Sequence, residues 1–452
     1  MSAEDTEWDD SYLDGPQRKS NILVLGQGAR ESALARRLDL CADTGRVYTA
    51  PGNGTTAFCS GGNLPDLDPM DFAAVRRTCE QLHVKLLVVG PEMPLIAGIA
   101  DEFYCSGISV FGPDSRGARL EGDKAWAKEF MVRNGIPTGA HTVVTAVTRT
   151  MGVEWLRAHN APYVLKASGP AAGKGTVIVH NLDDAVRTLD RMLAGQFGQA
   201  SETVVIEEFL EGRECSVFVI TDGMGDYKVL PVARDYKRAG AGDTGPNTGG
   251  MGAVSPVDWI DDDFRDEFMD LFMAKVRTRV IEPTLRGLLD ERIDYRGVIY
   301  LGLMAVGGDP YLLEYNVRFG DPEACVILPR IRGDLYGVMV MAANGVMVPS
   351  ETPDLDIDRN LAAVAVVACA QGYPDKPRKG DSIEVGDLPD GVQVMQAGTC
   401  LSEFGRLTTC GGRVLDVVAT APTIGQARRL AYDGIHAIHF DGMFYRPDIA
   451  AR

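Results

Sequence analysis

The chain has 452 residues, 45% of them apolar and 24% charged, with a formal net charge of −18. That length allows roughly two to four domains, each with its own core; the charge argues against nucleic acid as a partner, and no apolar run approaches the ~20 residues of a membrane span. Nine scattered cysteines with no CxxC pair and six scattered histidines speak against a structural zinc site and read as reduced, mostly buried thiols of a cytoplasmic protein.

Residues 1–19 are acidic and polar, with neither a basic n-region nor an apolar h-region. They read as a disordered tail and not as a signal peptide. Order is expected from Asn21. Ile22–Leu25 is a buried-strand run, followed by the turn Gly26–Glu31 and a helical pattern over Ser32–Leu40. A glycine turn at a helix start is a natural anion site. It is not the dinucleotide fingerprint: Glu31 occupies the third small-residue position, and no acid ends the next strand, Val47–Pro51. A helix over Met70–Leu82 and a strand over Lys85–Val89 place the loop Gly90–Leu95 at a strand's carboxyl end, where ligands gather in open sheets. Helix Ile96–Ser106 and strand Ser109–Phe111 complete a small parallel sheet with helices on both faces.

A long helix is expected over Ser115–Asn134. A compact α/β unit follows: a strand near Thr142 and Val143, helix Thr150–Ala158, a glycine-rich hairpin, helix Leu182–Gln196 and strand Thr203–Ile206. Next come strands Cys215–Thr221 and Lys228–Val232, a glycine-rich loop Ala239–Gly252 and helix Phe264–Leu289. Strands Tyr295–Val306 and Pro310–Tyr315 and helices Cys325–Ile331 and Leu335–Asn344 close this unit. From Pro349 the pattern changes to short strands (Ala362–Ala370, Ser382–Val385, Val392–Ala397, Arg413–Ala419) with one helix, Thr423–Ala437, which reads as a separate β-rich lobe.

Four clusters carry chemistry. In the hairpin, Lys166 and Lys174 stand among Gly169, Gly173 and Gly175. Glycines let backbone N–H groups close over a phosphate, and lysines add charge; the plain-turn reading stays open. The P-loop comparison fails, because Gly175 follows Lys174 and a strand follows in place of a helix. Glu207–Leu210 with Glu214 suits a strand-edge linker reading adenine while an acid takes ribose hydroxyls, and an ordinary acidic linker fits equally. Alternation sends Glu314, Asn316 and Arg318 to one strand face, suiting Mg²⁺ and a phosphoryl group or carboxylate; a merely solvated face is the alternative. Asp235–Arg238 and the loop Asp243–Gly252 suggest a flap or backbone cradle. No Ser-His-Asp or Cys-His set is suggested. The parts present are electrostatic, as activation of a carboxylate to an acyl phosphate requires.

Through KASGPAAGKG, VVIEEFLEG, GPNTGGMGAVSP and EYNVRFGDPE, supported by GPEMPLIAGIAD and FGPDSRGARLEGDK, the chain resembles the ATP-grasp superfamily and, within it, the phosphoribosylamine–glycine ligases of purine biosynthesis, over about residues 21–446. The resemblance implies an α/β (α+β multidomain) ATP-grasp fold, with a Rossmann-like domain over 20–121, an ATP-grasp domain over 122–348 whose smaller clamping lobe is 137–212, and a β-rich lobe over 349–452. It implies ATP phosphates on Lys124, Lys166, Gly173, Lys174 and Gly175, and adenosine on Glu207, Glu208, Phe209, Leu210 and Glu214. Mg²⁺ (or Mn²⁺) would sit on Glu314 and Asn316. Arg318, Lys166, Asn247 and Asp321 would act at the acyl phosphate. Gly28, Arg30, Glu31, Asn53, Asp235, Lys237, Asn247, Thr248, Gly249, Gly250, Arg318, Gly320 and Asp321 would line the substrate side. The implied reaction joins glycine to 5-phosphoribosylamine with ATP, in a monomer or small homo-oligomer with small molecules as partners.

Some loops depart from the family pattern. GxGGREHAL here reads GQGARESAL, with Ala29 for glycine and Ser32 for histidine; PGNxGT reads PGNGTT; and the QDHKR-type segment reads ARDYKR, with Arg234 and Tyr236. Ala29 is expected to remove φ freedom and fill space near a phosphoribosyl group, and Arg234 to add charge near the acceptor. The departures leave open a diverged paralogue that ligates a different amino acid and amine.

Overall fold

The computed structural model describes residues 19–171, 173–260, 265–402 and 405–451. The expected tail, apart from Lys19, and the helix start expected at Phe264 lie outside the described residues. Among the described residues, four sheets of four or five strands carry the fold.

The first sheet is parallel, in the order Gly62–Asn63, Thr44–Pro51, Ser20–Gly26, Val84–Val89, Ser109–Phe111. Its central run Ile22–Leu25 is apolar without alternation because both faces are covered. Ile22 and Val24 pack with Leu34 and Leu38 of helix Ala29–Asp39, while Leu23 and Leu25 pack with Val75 and Cys79 of helix Phe72–Gln81. The helix expected over Ile96–Ser106 is instead two short pieces, Glu92–Ile96 and Ile99–Glu102, parted by Gly98 at φ +90°. The helix expected over Ser115–Asn134 is also split, into Arg119–Gly122 and Lys124–Arg133. Asp123 leaves helical geometry and its side chain caps the second piece, accepting from Trp126 N.

The second sheet, antiparallel, runs His141–Thr145, Thr203–Glu208, Tyr163–Ala167, Thr176–Val179 and is backed by helices Arg149–Ala158 and Leu182–Leu193. The third, also antiparallel, runs Tyr227–Val229, Arg213–Thr221, Gly297–Val306, Asp309–Asn316. The long helix behind it widens into a π turn at Arg277–Ile281 just before Pro283, which cannot donate to the helical ladder.

The fourth sheet gathers the C-terminal strands Ala362–Cys369, Arg413–Ala421 and Val392–Gln396, but it is not self-contained. Its other strands, Gly252–Ser255 and Arg234–Asp235, come from the preceding region. The glycine-rich loop between them is itself partly a hairpin, Arg238–Gly240 with Thr244–Asn247. The expected separate β-rich lobe is thus continuous in hydrogen bonding with the segment holding Asp235 and Lys237. A chain cut after residue 348 leaves the Gly252–Ser255 edge and buried Val254 uncovered. It is expected to aggregate or lose its cooperative thermal transition, which size-exclusion chromatography and calorimetry against the full chain will check.

Candidate active site

A cavity of about 750 Å³ opens where these sheets converge. The second sheet with its hairpin forms one wall, and strand Asp309–Asn316 and the turn after it form the floor. Arg30, from the first helix, and Arg413, from the fourth sheet, also line it.

The floor depends on a local irregularity. Gly302 pairs with Glu314 but Leu303 pairs with Leu312, so Leu313 is an extra residue in the ladder. The bulge turns Glu314, and with it Asn316 and Arg318, into the cavity. The carbonyl of Leu313 accepts from Lys166 Nζ at 3.2 Å. Lys166 also pairs with Glu207 Oε1 at 3.0 Å, and Lys128 pairs with Glu207 Oε2 at 2.9 Å. All three side chains are buried. Burial pushes the Glu207 carboxyl up, but the Lys166 and Lys128 ammoniums outweigh it and hold the group below the usual carboxylate range. Burial likewise opposes ionisation of Glu314, and Lys237, Lys166, Lys124 and Arg318 override it, bringing its pKa to about 2.

Arg318 is held from behind. Its Nη2 donates to Glu121 Oε1 at 2.9 Å, and its Nε lies 3.6 Å from Glu92 Oε2. Glu121 Oε2 accepts from Val317 N, so one carboxylate fixes both backbone and guanidinium. Lys237 pairs with Glu214, and burial raises the Asp235 carboxyl to about 8 against the pull of Lys237. Arg413 Nη1 donates to the carbonyls of Gly249 and Asp321 and pairs with Asp321 Oδ1 at 3.1 Å. The hairpin and the loop Asn247–Gly249 meet over the cavity: Asn247 Nδ2 donates to Thr176 O at 3.4 Å. Gly173, at φ +75°, has the Thr248 carbonyl 3.4 Å from where a Cβ would stand.

Most of the residues singled out from sequence share this cavity: Arg30, Lys124, Lys166, Gly173, Gly175, Glu207–Leu210, Glu214, Asp235, Lys237, Asn247–Gly249, Glu314, Asn316, Arg318 and Asp321. Of the residues that the resemblance assigns a role, six stand outside its lining. Lys174 is exposed on the hairpin. Glu31 is buried as a helix cap, accepting from Gly28 N and pairing with Arg30. Gly28 abuts the Asp321 carboxylate, 2.8 Å from where its Cβ would be. Asn53 is buried, and its amide donates to Gln27 O, Ser32 Oγ and Gln396 O. Gly250 packs on Pro322 and Gly320 on the Glu323 carboxylate. Sequence reasoning missed Lys128, Glu121, Glu92 and Arg413. Glu92 and Glu121 stand in the motifs GPEMPL and LEGDK and so carry a signal, whereas Lys128 on an ordinary helix and Arg413 in a distant strand carry none.

Family models described as phosphoribosylglycinamide synthetase N domain, ATP-grasp (A) domain and C domain match residues 20–121, 122–324 and 363–452. The chain is 39% identical over 437 residues to a phosphoribosylamine–glycine ligase of Brucella melitensis, covering 95% of this chain and 97% of that protein. The chain belongs to the phosphoribosylglycinamide synthetase family. A ligase of the same name from Ralstonia nicotianae is 42% identical over 95% of this chain and 99% of its own length. The crystal structure of phosphoribosylamine–glycine ligase from Thermotoga maritima superposes with a TM-score of 0.75 at 35% identity, covering 95% of this chain and 100% of that one. A biotin carboxylase domain from Hydrogenobacter thermophilus shares the fold alone, at 16% identity and a TM-score of 0.69 over 95% of this chain and 92% of that one.

The departures from the family pattern now have positions. Ala29 is the first residue of a helix, buried, with no positive φ, so no glycine is required there and the expected loss of φ freedom does not arise. Ser32 is buried away from the cavity and donates to Gln396 O at 2.8 Å. Tyr236 is buried, with its hydroxyl on Asp258. Arg234 reaches the cavity lining, but its guanidinium is paired with Asp258 at 2.8 Å and lies over the Tyr236 ring.

Removing Lys128 leaves Glu207 with one cation in a buried site. Lys128→Met is expected to lower unfolding free energy by about 3 kcal/mol, read by urea titration. Because the Glu207 carboxyl is depressed on folding, its contribution is present above the unfolded carboxylate pKa of ~4.3 and is lost as pH falls through the folded value. The stability difference between wild type and Lys128→Met should therefore shrink on acidification below about pH 4.

Proposed function

We propose that the chain joins glycine to 5-phosphoribosylamine, with ATP becoming ADP and phosphate, to give glycinamide ribonucleotide. The observation that carries this reading is a single cavity in which Lys124, Lys166, Lys237 and Arg318 surround an ionised Glu314 beside the Asp321 turn. Three parts meet there, which we assign as 20–121, 122–348 with the clamping lobe 137–212, and 349–452. The named relatives, similar over nearly their whole length, support the same reading.

The chemistry needs a carboxylate to become electrophilic. A glycine carboxylate oxygen attacks the γ-phosphorus of ATP, the bond to the bridging oxygen breaks, and ADP leaves glycyl phosphate behind. The amine nitrogen of 5-phosphoribosylamine then attacks the acyl carbon. Phosphate departs with the C–O electron pair, and the nitrogen loses a proton as the amide forms. The negative charge that gathers on phosphoryl oxygens is met by fixed cations. Lys166 is pinned by Glu207 and the Leu313 carbonyl, so its ammonium is oriented before ATP arrives. Arg318 is pinned by Glu121 and Glu92 and presents its fork to a carboxylate or phosphoryl group. The glycine hairpin covers the phosphates from above. Apolar Val164, Ile178 and Met304 offer a slot for adenine, and the strand-edge backbone of Glu208–Leu210 its polar contacts.

Glu314 and Asn316 suit a divalent cation: one carboxylate held ionised and one amide oxygen, both facing the cavity, leave most of an octahedral shell to water and phosphate. Such an ion, when bound, neutralises charge on the nucleotide phosphates. Ala29, Ser32 and Tyr236 stand off the cavity, and Arg234 at its lining is tied to Asp258 and the Tyr236 ring, so none of these departures points by itself to a different amine.

With ATP and Mg²⁺, glycine plus freshly generated 5-phosphoribosylamine is expected to release phosphate; turnover only with another amino acid and amine would refute the reading. Glu314→Ala is expected to cut turnover by at least about a hundredfold and to weaken Mn²⁺ binding followed by electron paramagnetic resonance. Near-normal turnover and Mn²⁺ affinity would remove Glu314 from the metal set.

A further inference from the structure

The loop Asn247–Gly249 is held by groups that the reaction scheme above does not use. Arg413 opens strand Arg413–Ala421 of the fourth sheet, more than ninety residues beyond the turn it grips. Its Nη1 lies 2.7 Å from both the Gly249 and the Asp321 carbonyl oxygens and 3.1 Å from Asp321 Oδ1. Gly249 is gripped on its other polar atom as well: its N–H donates to Tyr373 Oη at 2.9 Å. The guanidinium lies so close over Gly249 that a Cβ there would stand 3.0 Å from Arg413 Cζ. From Gly249 the contacts run on. Thr248 N and Oγ1 both donate to the Lys237 carbonyl, and Asn247 reaches Thr176 on the phosphate hairpin. A continuous path therefore runs from the fourth sheet, through the loop, to the flap over ATP.

We propose that Arg413, assisted by Tyr373, is a positioning residue that locks the Asn247–Gly249 loop onto the Asp321 turn and so seals the acyl phosphate from water. One guanidinium nitrogen ties a loop carbonyl and a floor carbonyl together, which a lysine cannot reproduce with the same planarity. An acyl phosphate is a good acylating agent toward water as well as toward an amine. A loop displaced by about an ångström admits water to the acyl carbon, returning glycine and phosphate with ATP consumed and no amide made.

The inference rests on the reaction proposed above, and its test separates the two. The full-length chain is supplied with ATP, Mg²⁺, glycine and 5-phosphoribosylamine, and ADP and glycinamide ribonucleotide are counted in parallel. If wild type makes no glycinamide ribonucleotide, the reaction itself is wrong. Given wild-type turnover near one ADP per product, Arg413→Met is expected to make several ADP per product and to raise the glycine KM about tenfold. ATP affinity, measured by equilibrium dialysis without glycine, is expected to stay within about twofold. Arg413→Lys should fall between the two, and Tyr373→Phe, which removes one hydroxyl, should leak in the same direction more mildly. Tyr373→Phe carries the test if Arg413→Met does not fold. Coupling that stays at one ADP per product in the folded variants overturns the proposal, as does a loss of ATP affinity as large as the rise in glycine KM.

Discussion

Glu207 sits out of water between Lys128 and Lys166, and the geometry of the cavity depends on that arrangement. A buried carboxylate with one cation would still carry a heavy desolvation cost, and a buried lysine without one would lose its proton. Two cations on one carboxylate hold it ionised and leave the trio net positive, although burial still lowers the Lys128 ammonium. The trio also joins helix Lys124–Arg133, strand Tyr163–Ala167 and strand Thr203–Glu208. The Leu313 carbonyl adds the floor strand, through the bulge that aims Glu314 inward. In a chain of net charge −18 the cavity keeps cations at its lining by pairing Lys166, Lys237 and Arg318 with neighbouring acids.

The same rule recurs at Arg318, backed by Glu121 and Glu92, and at Arg413, backed by Asp321. These pairs span parts of the chain that sequence reading assigns to different domains. Glu92 and Glu121 come from the N-terminal region, and Arg413 from the far C-terminus. Hydrogen bonding crosses as well, since Gly252–Ser255 pairs with Ala362–Cys369. The C-terminal sheet is therefore part of the frame that sets the loops over the cavity.

Differences from the family pattern looked in the sequence like changes of specificity. In place they are repacking. Ala29 sits in a helix that needs no glycine, Ser32 satisfies a neighbouring carbonyl, and Arg234, Tyr236 and Asp258 form a cluster that closes on itself. Arg234 keeps its charge but is tied to the Asp258 and Tyr236 cluster.

The sequence by itself determined the strands and helices with strong periodicity, such as Ile22–Leu25 and Leu335–Asn344, because burial on both faces or on one stripe leaves its mark on local composition. It also determined the glycine hairpin between Tyr163–Ala167 and Thr176–Val179 and the polar face of Glu314, Asn316 and Arg318, which alternation along a strand marks. It misjudged Ser115–Asn134 and Ile96–Ser106, where Asp123 and Gly98 break helices that helical periodicity alone would continue. Only the tertiary structure decided that Arg413 lines the cavity, that Lys128 backs it through Glu207, that Lys174 and Asn53 fall outside its lining, and that the Leu313 bulge turns the floor strand inward. These depend on contacts between residues tens to hundreds of positions apart, and electrostatic pairing of that kind leaves no period in the chain.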